Sequence, residues 1–263
     1  MKITADYHIH TCYSGHSAPD QTPERIRAHA ATAGLTHIGI LEHVNSREES
    51  ARLYRIREEV EALPPGGPEI LLGVELNPDT RTLLTAIDRS DVADIGLDYV
   101  LLGLHWRLTR EICAVDSLRF RCELELLAAS LPWVDILAHP FWEYAPEVRL
   151  LGAEPWRDLA SLDPGWVREF ARTCRRAGTA VEMNGAMFTG RPPEFLRGYK
   201  AFFAALAGEG VLLSIGSDAH HPTEFARHQT LQQVVDELGL TDHCFLHLQP
   251  KKRPAQTIWP LPI

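Results

Sequence analysis

The sequence predicts a single α/β domain, a TIM-like barrel of seven strand–helix units. Its 263 residues suit one barrel, because such barrels commonly run to roughly 200–250 residues as one domain. Hydrophobic residues make up 45% of the chain, which is enough to bury a large core. Short apolar runs alternate with longer helical patterns, and this alternation indicates a parallel sheet with helical crossovers. We therefore treat residues 1–263 as one domain.

The strands are predicted from the apolar runs. They are Ile3–His10, Thr36–His43, Ile70–Glu75, Tyr99–His105, Val134–His139, Thr179–Asn184 and Val211–Asp218. Thr22 and Pro23 open the first helix, and Gly34 closes it. Further helices are predicted over Ser46–Leu63, Ser117–Leu131, Pro164–Ala177, Pro193–Ala207 and Thr223–Leu238. The proline-rich segment 250–263 is predicted to be an irregular C-terminal tail.

Composition narrows the class of protein. A formal net charge of −9 disfavours binding of long nucleic acid and favours a small substrate. No run approaches the roughly 18 apolar residues that a membrane span needs. The N-terminus meets Asp6 before any apolar stretch can build, so we expect no secretory signal and a cytoplasmic protein. The five cysteines are scattered, which predicts reduced thiols and no disulfide framework. No pattern indicates an oligomeric state.

Each predicted strand ends in a side chain that can bind a metal ion. In chain order these side chains are His8 and His10, His43, Glu75, His105, His139, Glu182 and Asp218, with His220 just after. Active sites of such barrels gather at the C-terminal ends of the strands, so seven elements direct these side chains to one place. His8 and His10 are two residues apart and therefore share one face of a strand. Asp218 and His220 repeat that spacing.

The middle of the series holds two carboxylates. Successive strand side chains alternate between faces, so His43 is the predicted ligand, and Glu42 either orients a ligand imidazole or is an ordinary buried or solvated residue. Glu75 follows two apolar residues of a buried strand, where a carboxylate is costly unless it is paired or binds a metal ion. His16, in the loop after the first strand, is predicted to reach the same rim. The remaining histidines lack a strand-end position and are interpreted as non-functional.

These ligands indicate hydrolytic chemistry. Imidazoles with bridging carboxylates suit zinc, iron or manganese better than magnesium or calcium. Two such ions about 3.5–4 Å apart can clamp the attacking and leaving oxygens of an in-line displacement. The sequence has no Gly-x-Ser-x-Gly elbow, no glycine-rich phosphate loop and no dinucleotide fingerprint.

The series of ligands resembles the PHP family, named for polymerase and histidinol phosphatase domains. The resemblance extends from the first predicted strand to the last, and its most specific parts are His8-x-His10 and Ser217-Asp218-Ala219-His220. It implies a distorted seven-stranded barrel with a trinuclear site that binds two to three divalent ions (Zn, Mn or Fe) and a metal-bridging hydroxide. One ion would take His8, His10, Glu75 and Asp218; a second Glu75, His105 and His139; a third His16, His43 and His220. One departure is Glu42, where the family usually has aspartate.

The resemblance also implies a function. Family members of this length resemble phosphatases of small phosphate monoesters, such as histidinol phosphate or a nucleotide-like phosphate, and the length excludes a polymerase. Glu75, Asp218 and His220 are the predicted catalytic residues. The candidate phosphate-binding arginines are Arg191, Arg107 and Arg227, since a guanidinium can bind two phosphate oxygens; each could instead be a solvated surface residue. Trp106, Phe141 and Trp142 are candidates for the pocket wall, with core packing as the equal alternative.

Two other function classes remain open. An amidohydrolase that cleaves an amide or lactone also uses His-x-His and a terminal aspartate on a barrel. That class usually adds a modified lysine at a strand end, and none of the four lysines here occupies such a position. The other alternative is a metal-binding domain that docks a partner without turnover, which the complete ligand set disfavours.

Overall fold

The computed structural model describes residues 1–79, 82, 84–105, 117–142 and 159–251. Apart from its first two residues, the predicted tail 250–263 lies outside this part of the chain. The described residues form a single α/β domain whose strands are all parallel. The predicted fold class is confirmed.

The strands form a nearly closed barrel. Within the described ranges they are β1 (Ala5–His10), β2 (His37–Leu41), β3 (His43–Val44), β4 (Glu69–Leu76), β5 (Tyr99–Leu102), β6 (Ile136–Leu137), β7 (Ala180–Asn184) and β8 (Leu213–Gly216). The order is β1-β2-β4-β5-β6-β7-β8, and β3, which also pairs with β4, continues the second predicted strand after a break at Glu42. Beyond β8, Asp218 N donates to His8 O (2.8 Å) and His10 N to Ala219 O (3.0 Å), so the last strand meets the first.

Helices connect the strands. Those in the described part are α1 (Pro23–Thr32), α2 (Ala51–Glu61), α3 (Arg89–Ile95), α4 (Ser117–Ala129), α5 (Pro164–Ala177), α6 (Pro193–Gly208) and α7 (Arg227–Glu237). The Thr22 hydroxyl accepts a hydrogen bond from Arg25 N and caps α1, as its sequence predicts. None of the helices in the described ranges is both long and apolar enough to cross a membrane.

Three helix predictions need correction. The helix α3 was not predicted, because its seven residues are too few for a clear periodicity; its signal was the capping box of Asp88 and Asp91. The helix α2 begins at Ala51 rather than Ser46, after a 3-10 turn. The helix α7 begins at Arg227 rather than Thr223, because Pro222–Ala226 forms another 3-10 turn.

The barrel interior supports the C-terminal ends of the strands. A buried layer inside it comprises Tyr7, Leu41, Leu71, Tyr99, Leu101, Ile136, Ala138 and Ala180. The Tyr99 hydroxyl donates to Tyr7 O (2.7 Å), and the Tyr7 hydroxyl accepts from Leu248 N (3.2 Å), so both hydroxyls of this tyrosine pair have partners. Three members of this layer directly precede residues of the predicted site: Tyr7 precedes His8, Leu41 precedes Glu42, and Ala138 precedes His139. The interior layer therefore forms the floor on which the strand-end cluster rests.

Candidate metal centre

All the predicted ligands lie in the described part of the chain, and the structure brings their side chains together at one end of the barrel. Four overlapping sets of three residues each have ligand atoms within 4.8 Å of one another. The sets are His8–His10–Glu75, His8–His139–Asp218, His43–Glu75–His105 and His10–His43–His220. Together they include eight of the nine predicted ligands, all but His16. The convergence that the strand ends predict is present.

Glu75 is the centre of this cluster and is fully buried. Its Oε2 lies 3.2 Å from a ring nitrogen of each of three residues, His8, His10 and His43. Its Oε1 lies 3.0 Å from His139 Nε2 and 3.6 Å from His105 Nδ1. The two oxygens therefore face two different groups of imidazoles, which is the arrangement of a bridging carboxylate.

His16 lies at the edge of the cluster. It is exposed in the loop after β1, and its ring centroid is 4.5 Å from that of His220 and 5.7 Å from that of His43. The buried Nε2 of His220 has no hydrogen-bond partner in the described part, while its Nδ1 lies 3.2 Å from Asp218 O. The rings of His10 and His220 stack with centroids 4.1 Å apart. These residues form a group on the solvent side of Glu75.

Glu182 lies behind the cluster. Sequence analysis placed it among the strand-end side chains without assigning it to an ion. Its Oε1 lies 2.7 Å from His8 Nδ1, and its Oε2 accepts a hydrogen bond from His139 N (2.7 Å). A carboxylate on the second nitrogen of a ligand imidazole fixes the ring's orientation and raises its basicity. The Glu182 carboxylate therefore orients His8 by its imidazole ring and His139 by its backbone N–H.

Glu42 has a comparable place beside His10. It is fully buried and accepts hydrogen bonds from Thr11 N (2.7 Å) and Thr11 Oγ1 (2.6 Å). Its other oxygen lies 3.6 Å from His10 Nδ1. Of the two interpretations that the sequence left open, the structure favours orientation of a ligand imidazole.

Two polar residues that sequence analysis missed also hold the ligands. Asn77 Oδ1 lies 2.6 Å from His105 Nδ1, one residue beyond the end of β4. Asp6 is fully buried and accepts hydrogen bonds from His8 N and Ser217 N, both at 3.0 Å. Asp6 precedes His8 by two residues, but the register of β1 shifts between Asp6 and Ile9, so strand alternation gave no signal for its role.

Two glycines leave the space that the buried carboxylates occupy. A Cβ on Gly103 would lie 2.5 Å from Glu75 Oε1 and 3.0 Å from His139 Cε1. A Cβ on Gly216 would overlap Glu182 Oε1. Neither approach is compatible with a side chain unless the carboxylate moves.

Backbone strain lies at two predicted ligands and at one residue close to them. The only described residues other than glycine with positive φ are His139 (25°), Phe141 (63°) and Asp218 (55°). Such conformations cost on the order of 1–3 kcal/mol and persist where the surroundings enforce them. At Asp218, Arg227 Nη1 donates to the backbone O (2.7 Å), and this bond helps to hold the conformation.

The protonation states divide the imidazoles into two groups. Burial lowers the pKa of His43 to about 4 and that of His220 to about 3, and it places the pKa of His105 well below 6.5. These three rings are neutral near pH 7 and present a lone pair. Burial also opposes charge on His8 and His10, but the surrounding carboxylates outweigh it; the pKa of His8 lies well above 6.5 and that of His10 is about 9.

The carboxylates carry the matching negative charge. Burial alone would raise the pKa of Glu75 and Asp218, but neighbouring imidazoles outweigh it and both pKa values lie well below the usual range. The neutral imidazoles of His43, His105 and His220 and the ionised carboxylates form a donor set that suits zinc, manganese or iron, and an ion bound at His8 and His10 would displace their protons. The residues present therefore fit divalent ions.

The predicted substrate-binding residues have different surroundings. Arg227 donates to the backbone O of Ser217 and Asp218 and pairs with Glu224. Arg191 lies against the Phe195 ring, with its Cζ 5.4 Å from the centroid. Arg107 and Trp106 lie outside the described residues.

The other two aromatic candidates separate clearly. Trp142 packs edge-on against His105 with ring centroids 4.6 Å apart, so it borders the cluster. Phe141 is fully buried and packs against Trp166 and Phe202. Phe141 is therefore a core residue, the alternative that the sequence left open.

Comparisons with known proteins place these observations in context. No family model matches the chain. A "Probable phosphatase" from Acetivibrio thermocellus is 26% identical over 249 residues, covering 91% of this chain and 89% of the relative. One from Thermoanaerobacter sp. (strain X514) is 24% identical over 257 residues, covering 94% and 91%.

A solved structure shows the same fold. The crystal structure of HisK from Listeria monocytogenes, a candidate histidinol phosphatase, superposes with a TM-score of 0.56 at 13% identity, covering 86% of this chain and 99% of that one. Together with the phosphatase relatives, it supports the resemblance that the strand-end motifs indicate. The chain resembles a PHP-type phosphatase, a hydrolase of phosphate esters.

Proposed function

We propose that this protein is a metal-dependent phosphoesterase that hydrolyses a small phosphate monoester at a trinuclear centre. The observation that carries the proposal is the position of Glu75, a fully buried carboxylate whose two oxygens face separate groups of imidazoles. The phosphatase relatives support the phosphate ester as the bond that is cleaved.

The chain offers ligands for up to three ions. We assign His8, His10, Glu75 and Asp218 to the first, Glu75, His105 and His139 to the second, and His16, His43 and His220 to the third. Divalent ions bound there would neutralise charge on phosphoryl oxygens and lower the pKa of a bound water. Zinc, manganese and iron are the ions that this donor set favours.

The catalytic candidates differ in access. The side chain of Glu75 is fully buried, whereas those of Asp218 and His220 are 15% and 22% exposed. Glu75 therefore acts by holding ligands and ions in place. Asp218 can orient an attacking water by accepting a hydrogen bond from it, because its carboxylate is ionised and lies at the mouth. The Arg227 bond to Asp218 O keeps that carboxylate in position.

We propose that arginine side chains bind the substrate phosphate. Arg191 and Arg107 are our candidates for the substrate phosphate, because a guanidinium binds two oxygens at once. Arg227 is a weaker candidate for direct contact, since its donors already bind Ser217 O, Asp218 O and Glu224. A net charge of −9 fits a small substrate better than long nucleic acid.

The test begins with elemental analysis of protein purified without added metal. It continues with phosphate release from an aryl phosphate, histidinol phosphate and nucleoside monophosphates. We expect two to three equivalents of zinc, manganese or iron, and activity that a chelator abolishes. Ion-loaded protein that releases phosphate from none of these esters would overturn the proposal. Turnover of amides or lactones in the same screen would support the amidohydrolase alternative instead.

A variant pair ties the activity to the site. Asp218→Asn removes the ionised carboxylate and is expected to lower kcat by on the order of 100-fold, as misplacement of a reacting group commonly does. His37→Gln is the matched control, because His37 lies at the opposite end of the barrel, where β2 begins, and pairs with Glu69. Equal loss of kcat in both variants would count against a specific role for Asp218.

A further inference from the structure

A buried ion pair lies on α4, outside the ligand set. Arg121 Nε donates to Glu125 Oε1 (2.6 Å), and the two side chains are 0% and 1% exposed. Arg121 Nη2 and Glu125 Oε2 have no hydrogen-bond partner within the described ranges. A buried pair with unsatisfied atoms contributes little net stability compared with apolar residues of similar size. Net stability therefore does not explain the pair, and its other contacts become informative.

Each member of the pair binds the backbone next to one predicted ligand. Arg121 Nη1 donates to Leu104 O (2.7 Å), immediately before His105. Glu125 Oε1 accepts a hydrogen bond from Phe141 N (2.9 Å), two residues after His139. The helix thus contacts both segments through one fixed pair of side chains.

Both segments need such support. The strands β5 and β6 end at Leu102 and Leu137, so the two ligands lie beyond the regular strands. His139 and Phe141 have positive φ, which is unfavourable for both residue types. The rings of His105 and His139 are nevertheless 4.5 Å apart, and Glu75 Oε1 lies near both.

We propose that Arg121 and Glu125 are positioning residues that set the separation of His105 and His139 for a shared ion. The proposal rests on the metal-dependent function argued above. The planar guanidinium suits the task because its donors have fixed directions, one toward Glu125 and one toward Leu104 O. The pair touches neither ion nor substrate and acts through the two backbone segments.

The structure offers a matched control on α2. Arg57 Nε donates to Glu61 Oε1 (2.7 Å), four residues later, and Arg57 Nη1 donates to Ile95 O (2.8 Å). The Arg57 side chain is 8% exposed. This pair repeats the four-residue spacing and the arginine–backbone bond of Arg121 and Glu125; Glu61 is 33% exposed, and the backbone that Arg57 binds belongs to the end of α3 rather than to a predicted ligand segment.

The experiment compares two double variants, Arg121→Met with Glu125→Met and Arg57→Met with Glu61→Met. Apolar replacement removes both charges, so neither variant leaves an unpaired buried ion. Apoproteins are titrated with Co²⁺ and followed by visible absorption, bound ions are counted by elemental analysis, and folding is checked by circular dichroism. For the Arg121–Glu125 variant we expect one ion to bind about 10–100-fold more weakly, as loss of outer ligand support commonly causes. For the control we expect wild-type affinities.

The outcomes separate this inference from the proposed function. Wild-type Co²⁺ affinities and spectrum in the folded Arg121–Glu125 variant would overturn the inference and leave the function standing. Weakened Co²⁺ binding in the Arg121–Glu125 variant, together with a wild-type protein that hydrolyses no phosphate ester, would support the inference and reject the function. A wild-type protein that binds no Co²⁺ would overturn both.

A second variant covers a failure to fold. Arg121→Lys can keep the charge pair with Glu125, but one ammonium lacks the two divergent donors of a guanidinium. We expect a folded protein in which Co²⁺ binding is still weakened and its spectrum altered. Wild-type binding in Arg121→Lys, when the double variant is unfolded, would show that the pair is only structural.

Discussion

The cluster depends on a glycine that leaves space for a buried carboxylate. Gly103 lies where a Cβ would approach Glu75 Oε1 to 2.5 Å. We predict that Gly103→Ala displaces the Glu75 carboxylate and lowers ion affinity by about 10–100-fold, the usual effect of disturbing a ligand's surroundings. The measurement is ion content after dialysis, together with kcat.

Gly208→Ala is the control for this prediction. Gly208 is the last residue of α6, and a Cβ there would meet no atom within 4 Å. This variant should keep its ions and its activity. Full ion content in Gly103→Ala would show that Glu75 does not need the space that Gly103 leaves.

The sequence predicted which residues belong to the cluster where their spacing was regular. Spacings of two placed His8 with His10 and Asp218 with His220, and all four lie in the cluster. The supporting contacts could not be predicted, because they join residues distant in sequence. Asn77 and His105 are one example; Glu182 and His139 are another.

At the scale of elements, one buried pair joins α7 to β1. His228 Nε2 lies 2.9 Å from Asp6 Oδ2, with side chains 11% and 0% exposed. Burial lowers the pKa of His228, but Asp6 outweighs it and the pKa lies above 6.5. Sequence analysis interpreted His228 as non-functional; the structure gives it a part in holding the carboxylate that binds His8 N.

The raised pKa predicts a pH dependence of stability. Protonated His228 is bound more tightly in the folded state, so its contribution is complete below pH 6.5 and is lost as pH rises through the raised folded-state pKa. We expect His228→Asn to lower the free energy of unfolding by about 1–3 kcal/mol at acidic pH, the usual cost of removing the partner of a buried polar group. The deficit should shrink at alkaline pH. Urea unfolding at several pH values measures it.

His247→Asn is the control for that comparison. His247 pairs with Asp242 at 3.4 Å, but their side chains are 54% and 69% exposed. Exposed pairs contribute little, so this variant should match the wild type at every pH. A His228→Asn deficit that is constant with pH would rule out the protonated pair as its source.

Sequence patterns predicted elements well where a helix was long or its start marked. The helix α5 has the bounds that the sequence predicted, Pro164–Ala177. The helix α3 was missed because seven residues give too little periodicity. Two helix starts were placed early, since 3-10 turns share the polar pattern of a first helical turn. Local pattern thus predicts the existence of elements better than their ends.

For the whole molecule, ion binding and folding should be coupled. The ligands come from separate strands around the barrel, so the unfolded chain has no preformed site. We predict that chelator lowers Tm and that manganese or zinc restores it. At an ion concentration of 100 times Kd the stabilisation is about 2.7 kcal/mol, which for a domain of this size corresponds to a shift on the order of 5–10 °C.

Calorimetry with and without chelator measures that shift. Gly103→Ala should show a smaller shift than the wild type, while Gly208→Ala should show the full shift. Identical Tm values for wild-type protein in chelator and in excess manganese would contradict the coupling.

The barrel as a whole was predictable because strand and helix alternate along the entire sequence. The contact that closes it was not, because that contact joins the first and last strands, which are distant in sequence. That contact consists of backbone bonds from Asp218 N to His8 O and from His10 N to Ala219 O.

The same junction bears on how the protein matures. Ser217 N donates to Asp6 across a separation of 211 residues, beside the ligands at both positions. Loop closure over such a distance is slow, so folding is expected to complete this junction late. During synthesis the ribosome must deliver β8 before the predicted ligands His8, His10 and Asp218 can lie together. A nascent chain therefore lacks the complete strand-end cluster until β8 and the residues that follow it have emerged.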